Sequence, residues 1–161
     1  MFDTTLTAAR ILIVDDNASN VLLLEGILQE EDYTAYLSIT DSRQVLPMFL
    51  EHRPDLVLLD LQMPYLDGFE VMKQLRPHIP PEAFLPILVL TADITSETKR
   101  QALAGGAMDF LTKPFDAAEV VLRIRNLLQT RSLHLQLQNQ NQLLEQKVRE
   151  RTLCSNNWFW F

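Results

Sequence analysis

Residues 55–64 have the sequence DLVLLDLQMP, in which four consecutive apolar residues are followed by Asp60. A short apolar run bounded by polar residues is typical of a strand that is covered on both faces of a sheet. We therefore predict a strand over residues 55–59 that delivers Asp60 at its carboxyl end. The residues that follow, with Pro64 and Gly68, favour a loop and then a helix over residues 69–76.

Similar units lie on either side of this stretch. Apolar runs predict strands over residues 11–14, 33–39, 87–90 and 110–111, and helical patterns predict helices capped by Asn17 or Ser19, over residues 41–50 and 96–103, and from about residue 116. Pro47 is expected to penalise or kink its helix. The proline-rich residues 77–86 are predicted to form a surface loop without a catalytic role. Five alternations of strand and helix predict an α/β fold with a doubly wound, five-stranded parallel sheet.

Polar and reactive residues gather where four of the predicted strands end: Asp15 and Asp16, Asp60, Thr91 and Lys113. The carboxyl ends of parallel strands meet at one edge of the sheet, where α/β proteins bind ligands. Three carboxylates there would repel one another, so we expect Mg²⁺, which prefers oxygen ligands, with Lys113 as a second positive charge. A carboxylate beside both cations can attack a phosphoryl group, and Asp60, alone at the end of the central strand, is the best candidate.

Four short motifs carry a resemblance to a known family. They are Val14-Asp15-Asp16, residues 59–64, Thr91-Ala92 and Lys113-Pro114-Phe115, and their key residues are 45, 31 and 22 positions apart. In this order and at these strand ends, the motifs resemble the receiver domains of two-component response regulators, over about residues 9–128. The resemblance implies a flavodoxin-like sheet of order 2-1-3-4-5. It also implies transfer of a phosphoryl group from a sensor histidine kinase or phosphotransfer protein.

The resemblance further implies a role for each residue of the acidic cluster. Asp60 corresponds to the phosphoacceptor. Asp16 and Asp60 correspond to direct Mg²⁺ ligands, with the backbone carbonyl of Gln62 as a third, and Asp15 corresponds to an acid that acts mainly through water. Lys113 corresponds to the lysine that pairs with the phosphoryl group.

Other matching residues are implied in conformational change. Thr91 matches the residue that moves toward the phosphoryl group, and Phe110 matches the aromatic residue that turns inward behind it. The peptide bond before Pro114 is implied to be cis. Gln62 and Asp93 flank the predicted site, and we hypothesise that they tune dephosphorylation by placing or blocking water.

Charge and cysteine content bear on the class of function. The chain has 161 residues, of which 21 are acidic and 14 basic, and the net charge of −7 argues against a nucleic-acid-binding face. No signal peptide or membrane-spanning run is evident, so a cytoplasmic protein without a membrane partner is expected. The single cysteine, Cys154, excludes an intramolecular disulfide. His52, His78 and His134 lack metal-ligand spacing and are expected to be structural or surface residues.

A long helix is predicted because no proline or glycine occurs from residue 117 to about residue 153. Steps of three and four define a heptad seam for a parallel homodimer, with Asn141 at an a position. The seam comprises Leu127, Thr130, His134, Leu137, Asn141, Leu144, Val148 and Arg151. Leu133 offers a competing register, and packing of the helix on its own domain is the alternative.

We predict three segments: a receiver domain over residues 1–128, a coiled-coil connector over residues 129–153 and a tail of unclear role over residues 154–161. Residues 143–152 resemble connectors that precede cyclic-di-GMP phosphodiesterase or cyclase domains, and no such domain is recognised in this sequence. The aromatic end, from Trp158 to Phe161, is consistent with a truncated chain or a docking segment.

The predicted function is a phosphorylatable switch that controls a downstream output through its C-terminal helix. The domain would catalyse only its own phosphorylation and dephosphorylation, so a metabolic enzyme is not expected. A small-molecule phosphatase with an aspartyl intermediate is one alternative, disfavoured because Gln62 stands where a second acid would be needed. A dimerising scaffold with a non-functional pocket is another. In the non-functional interpretation, the aspartates are helix caps and loop acids, Lys113 is a surface residue, and Thr91 and Phe110 are packing residues.

Overall fold

The computed structural model describes residues 4–93 and 95–156 and contains a five-stranded parallel sheet. The strands are β1 (Ile11–Val14), β2 (Tyr36–Ile39), β3 (Leu56–Asp60), β4 (Ile87–Thr91) and β5 (Asp109–Thr112). They are arranged in the order β2-β1-β3-β4-β5, and every neighbouring pair is parallel. The predicted flavodoxin-like fold class is therefore confirmed.

Five helices connect or follow these strands. They are α1 (Ala18–Glu30), α2 (Val45–His52), α3 (Gly68–Leu75), α4 (Ser96–Ala104) and α5 (Ala117–Asn156). A helical turn at Thr4–Thr7 precedes β1, and 3₁₀ turns lie at Ser42–Gln44, Arg76–His78 and Pro81–Ala83. Asn17, one of the two predicted caps, accepts a hydrogen bond from Ser19 N and begins α1. Asp67 and Glu70 form a capping box that begins α3.

The sheet is covered on both faces because alternate strand residues point to opposite sides. One core cluster joins the strands to α2, α3 and α4, and contains Val57, Leu59 and Val89. The other joins them to α1 and α5, and contains Ile13, Leu58 and Leu90. Both faces of β3 and β4 are fully buried, which explains why their sequences are apolar without alternation.

Two local predictions were wrong. Strand β2 begins at Tyr36 and not at residue 33, because Tyr33 N donates to Leu28 O and closes the end of α1, while Asp32 has a positive φ of 65°. Pro47 is the third residue of α2. It therefore lies in the first turn, where its missing N–H removes no hydrogen bond from the helix.

Helix α5 begins in the core and ends beyond it. Its 40 residues span about 60 Å at the usual rise per residue. Val120, Ile124 and Leu128 are buried against the sheet, whereas every side chain from residue 139 to residue 155 is exposed. Within residues 4–93 and 95–156, no helix combines the length and the hydropathy needed to cross a membrane. The aromatic end of the chain, from residue 157 onward, lies outside the described residues.

Candidate functional site

The predicted site residues meet at the carboxyl edge of the sheet. Asp15 directly follows β1, Asp60 ends β3, Thr91 ends β4 and Lys113 directly follows β5. Asp15, Asp60 and Thr91 are buried, with exposed fractions of 0%, 4% and 2%. Buried polar groups at the ends of apolar strands require partners, and each of these has them.

Asp15, Asp16 and Asp60 form an acidic cluster. One carboxylate oxygen from each residue lies within 4.8 Å of the others, and Asp16 is exposed while the other two are buried. All three offer hard oxygen ligands, and the exposed side leaves room for coordinated water, which is the environment that Mg²⁺ prefers. Among residues 4–93 and 95–156, Lys113 is the one cation in contact with the cluster, so two of its three negative charges remain to be offset. The residues present therefore fit a divalent cation.

Lys113 bridges two of the carboxylates. Its Nζ lies 2.9 Å from Asp15 Oδ2 and 3.3 Å from Asp60 Oδ1, and its side chain is 17% exposed. Lys113 N donates to Thr91 O at 2.8 Å, which ties the residue to the end of β4. The peptide bond between Lys113 and Pro114 is cis, the isomer implied by the sequence resemblance.

Asp15 is held by several donors. Asn17 N donates to Oδ1 at 2.9 Å, and Asn20 Nδ2 donates to Oδ2 at 3.2 Å, beside the contact with Lys113. The role of Asn20 was missed by the sequence analysis. One indication of this role was present in the sequence: Asn20 lies in the first turn of the helix that follows Asp15 and Asp16.

The environment of Asp60 favours its protonated form. Burial and then the charge of Asp15 raise the pKa of Asp60 to about 6, against the opposing effects of Lys113 and of the hydrogen bond from Gln62 N. That hydrogen bond is 3.3 Å long and ends on Oδ1, the oxygen that also contacts Lys113. Both of these contacts fall on Oδ1, and no buried side-chain oxygen among the described residues lacks a partner, so Oδ2 is not fully buried.

A cleft of about 490 Å³ opens beside the acidic cluster. Its lining includes Asp16, Gln62, Thr91, Asp93 and Thr98. The cleft therefore brings the two predicted tuning residues, Gln62 and Asp93, to the same space as Asp16 and Thr91. Its size admits a small anionic group together with water.

The loop between β4 and α4 fixes one wall of this cleft. Asp93 N donates to Thr91 Oγ1 at 3.0 Å. The Asp93 carboxylate accepts from Thr98 Oγ1 at 2.7 Å and from Thr95 N at 2.9 Å. These hydrogen bonds, the one from Thr98 first, lower the pKa of Asp93. Asp93 is therefore an anchored, charged part of the wall.

The loop between β3 and α3 forms the opposite wall and is held by residues that the sequence analysis did not assign to the site. Ser42 is buried, and its Oγ donates to Pro64 O at 2.8 Å and accepts from Leu66 N at 3.1 Å. Gly68 N donates to Leu61 O at 2.9 Å. A Cβ on Gly68 would lie 2.6 Å from Asp60 O and 2.8 Å from Leu61 Cα. Only glycine allows this approach.

Phe110 lies on the neighbouring face, where α4 covers β5. Its ring is half-buried against the core, and Lys99 Nζ lies 4.7 Å from the ring centroid. Of the three histidines, His52 and His78 are exposed and His134 is half-buried. Metal-ligating groups among the described residues cluster only at Asp15, Asp16 and Asp60.

Comparison with known proteins identifies the family. The family described as response regulator receiver domain matches residues 11–125, which contain all of the residues placed above in the site. The chain belongs to this family. The matched residues include all five strands and the first part of α5, as far as residue 125.

Individual relatives agree with this assignment. The receiver is 40% identical over 120 residues to "Response regulator PleD" of Caulobacter vibrioides, covering 74% of this chain and 26% of that protein. It is 40% identical over 119 residues to "Alkaline phosphatase synthesis transcriptional regulatory protein PhoP" of Bacillus subtilis, covering 74% and 48%. The chain thus spans less than half of the length of these curated relatives.

A solved structure confirms the fold of the receiver. The chemotaxis protein CheY4 of Vibrio cholerae is 31% identical, with a TM-score of 0.69, and the match covers 74% of this chain and 98% of that one. The match thus extends over nearly all of the CheY4 chain and leaves about a quarter of this chain unmatched.

Proposed function

We propose that this receiver accepts a phosphoryl group on Asp60 from a phosphohistidine of a sensor histidine kinase or phosphotransfer protein. The observation that supports this most directly is the buried Asp60 carboxylate at the end of β3, with Lys113 Nζ 3.3 Å away and two further carboxylates beside it. In the transfer, a bond forms between an oxygen of Asp60 and phosphorus, the phosphorus–nitrogen bond breaks, and the imidazole leaves as neutral histidine after proton transfer.

The hydrogen bonds distinguish Asp60 from Asp15 as the nucleophile. Both oxygens of Asp15 accept hydrogen bonds from the protein. The contacts of Asp60 fall on Oδ1, which leaves Oδ2 free to attack. An oxygen that must first give up its donors would raise the barrier, so Asp15 is better suited to holding charge in place.

The residues fit Mg²⁺, which would be held by Asp16, Asp60 and the backbone carbonyl of Gln62, with Asp15 acting through water. When bound, the ion supplies positive charge that stabilises the oxygens of the transferred group. Lys113, fixed by β5 and by Asp15, orients its ammonium toward the same oxygens. The Thr91 hydroxyl, at the end of β4, donates to a phosphoryl oxygen once it gives up its contact with Asp93 N.

We further propose that this movement of Thr91 is accompanied by an inward turn of Phe110, which changes the face formed by α4, β5 and α5. A few kcal/mol of differential contact shift such a two-state population substantially. The output would be controlled through α5 in a homodimer in the cytoplasm. Self-phosphorylation and self-dephosphorylation are the only reactions proposed for this chain.

The proposal is tested by intact mass after incubation with phosphoramidate and Mg²⁺, since this donor carries the same phosphorus–nitrogen bond as phosphohistidine. We expect one phosphoryl adduct in the parent and none in Asp60→Asn or with EDTA. Asp32→Asn is the matched control because it removes the same charge at an exposed position with φ 65°, which Asn tolerates. An adduct that persists in Asp60→Asn, or none in the folded parent, contradicts the proposal.

A further inference from the structure

The segment before β4 contacts the helix that leaves the domain. Residues 76–86 contain two 3₁₀ turns, and Phe84 has a positive φ of 43°. They lie at the amino edge of the sheet, opposite the acidic cluster, beside Asp55, which precedes β3. We call the surface formed by Asp55, Ala83 and Phe84 the ledge. None of these three residues lines the cleft at the opposite edge of the sheet.

Arg131 of α5 binds the ledge through both ends of its guanidinium group. Nη1 donates to the backbone carbonyls of Ala83 and Phe84, the latter at 2.9 Å, and Nη2 lies 3.4 Å from Asp55 Oδ1. The Arg131 side chain is only 16% exposed. Asp55 is itself fixed, since its Oδ2 accepts from Arg10 N at 2.8 Å. Because the guanidinium group is planar, its charge-assisted hydrogen bonds fix both the position and the orientation of the Arg131 side chain.

His134 adds a second contact three residues later on the helix. Its ring stacks on that of Phe84, with centroids 4.5 Å apart and planes 21° from parallel. Residues three apart share a helix face, so Arg131 and His134 engage the same ledge. Gln138 is the last half-buried side chain, and all described side chains after it are exposed. The contact with the ledge is therefore the last fixed point of the helix.

We propose that Arg131 and His134 are positioning residues that set the point and direction at which the output helix leaves the receiver. His134 also belongs to the predicted heptad seam. Because it contacts the ledge, it is not available to a second helix, and pairing between helices begins at Leu137. The use of this contact in signalling rests on the proposed function, in which α5 carries the output. The geometry itself does not depend on phosphorylation.

The test is a distance distribution between two spin labels, measured by pulsed electron paramagnetic resonance. One label replaces exposed Glu51 on α2 and the other replaces exposed Gln140 on α5, in a Cys154→Ser background. Excess unlabelled chain excludes distances between copies. We expect one narrow distribution in the parent, and a broad or displaced one in Phe84→Ala, His134→Ala and Arg131→Gln.

Matched controls separate positioning from general structural damage. Glu82→Gln alters the exposed charge of the same loop, and Gln136→Ala alters an exposed face of the same helix turn. Both should retain the narrow distribution. All variants should retain the phosphoryl adduct on Asp60, because the ledge lies at the opposite edge of the sheet. If Phe84→Ala fails to fold, the two helix-side variants give the answer.

An unchanged distribution in Arg131→Gln and in His134→Ala overturns the positioning role, whatever the phosphorylation result. Failure of the parent to form an adduct, with distributions that respond as expected, removes the proposed function and leaves the positioning role standing. The two failures are therefore distinguishable.

Discussion

The carboxyl group of Asp60 is buried in a site where its charged form is disfavoured, and this has a consequence for stability. Burial and Asp15 raise its pKa from 3.8 to about 6. Between these values the folded protein binds more protons than the unfolded chain, so the free energy of unfolding falls as the pH rises through this window. Above about pH 6 the charged Asp60 carboxylate destabilises the folded protein to its full extent. This destabilisation disappears as the pH falls toward 4.

We therefore predict that Asp60→Asn stabilises the metal-free receiver at pH 7.5, by about 1–3 kcal/mol. The gain should shrink toward zero near pH 4, where Asp60 of the parent is protonated. Urea unfolding with EDTA at several pH values measures it, and Asp32→Asn provides the control for loss of one charge. If the increase in the free energy of unfolding is the same at all pH values, removal of the charge at Asp60 is not the cause of the stabilisation.

Gln62 and Asp93 lie on opposite walls of the cleft, and both line it. The Gln62 amide is able to orient a water for attack on the phosphoryl group, so Gln62→Ala should lengthen the phosphoryl lifetime. Asp93 is anchored by Thr98 and narrows the path of water, so Asp93→Ala should shorten it. A change of about 1 kcal/mol in the barrier alters the lifetime about fivefold. Decay of the adduct by mass measures this, and lifetimes equal to that of the parent would sink the hypothesis.

At the scale of an element, the loop after β3 depends on one glycine. A Cβ on Gly68 would meet backbone atoms of Asp60 and Leu61, which cannot move aside as the end of a side chain could. We predict that Gly68→Ala destabilises the receiver by about 1–3 kcal/mol and slows phosphorylation, because the same backbone carries Asp60.

Gly26 is the matched control for this substitution. It lies inside α1, and a Cβ there would meet nothing within 4 Å. Gly26→Ala should stabilise the protein by about 0.5–1 kcal/mol. Thermal and urea unfolding compare the two variants. Equal effects of both would mean that the close approach at Gly68 does not constrain the loop.

The elements that could be predicted from sequence are those whose pattern is local. Strands β3 and β4 are buried on both faces, so their apolar runs were sufficient to predict them. The positions of the site residues at the strand ends followed from the topology of parallel sheets. Tyr33 and Ser42 could not be interpreted in this way. Tyr33 closes a helix, and Ser42 holds a loop 22 residues away in sequence. The Tyr33 contact is local, but the residues around it gave no sign that the helix ends there, and the Ser42 contact exists only once the chain has folded.

At the scale of the whole molecule, the long helix divides into a part that packs on the receiver and a part that does not. Leu127 and His134, both predicted seam residues, contact their own domain. Of the seam residues, Leu137, Leu144 and Val148 are 60%, 60% and 62% exposed. Sequence periodicity could not locate this division, because an apolar stripe is the same whether it faces a domain or a partner helix. The predicted segment boundary at residue 128 stays a prediction.

The homodimer is then predicted to form through Leu137, Asn141, Leu144 and Val148 alone. Burial of one leucine contributes about 1.5–3 kcal/mol, so Leu144→Glu in both copies should weaken the dimer about a hundredfold or more. Leu143→Glu is the matched control, because Leu143 is 58% exposed on the adjacent face of the same turn. Sedimentation over a range of concentrations measures both. If Leu143→Glu weakens the dimer as much, the seam lies in another register. If the parent is a monomer throughout, the exposed stripe is not a seam between copies of this chain, and the output must pass through the ledge and helix within one chain.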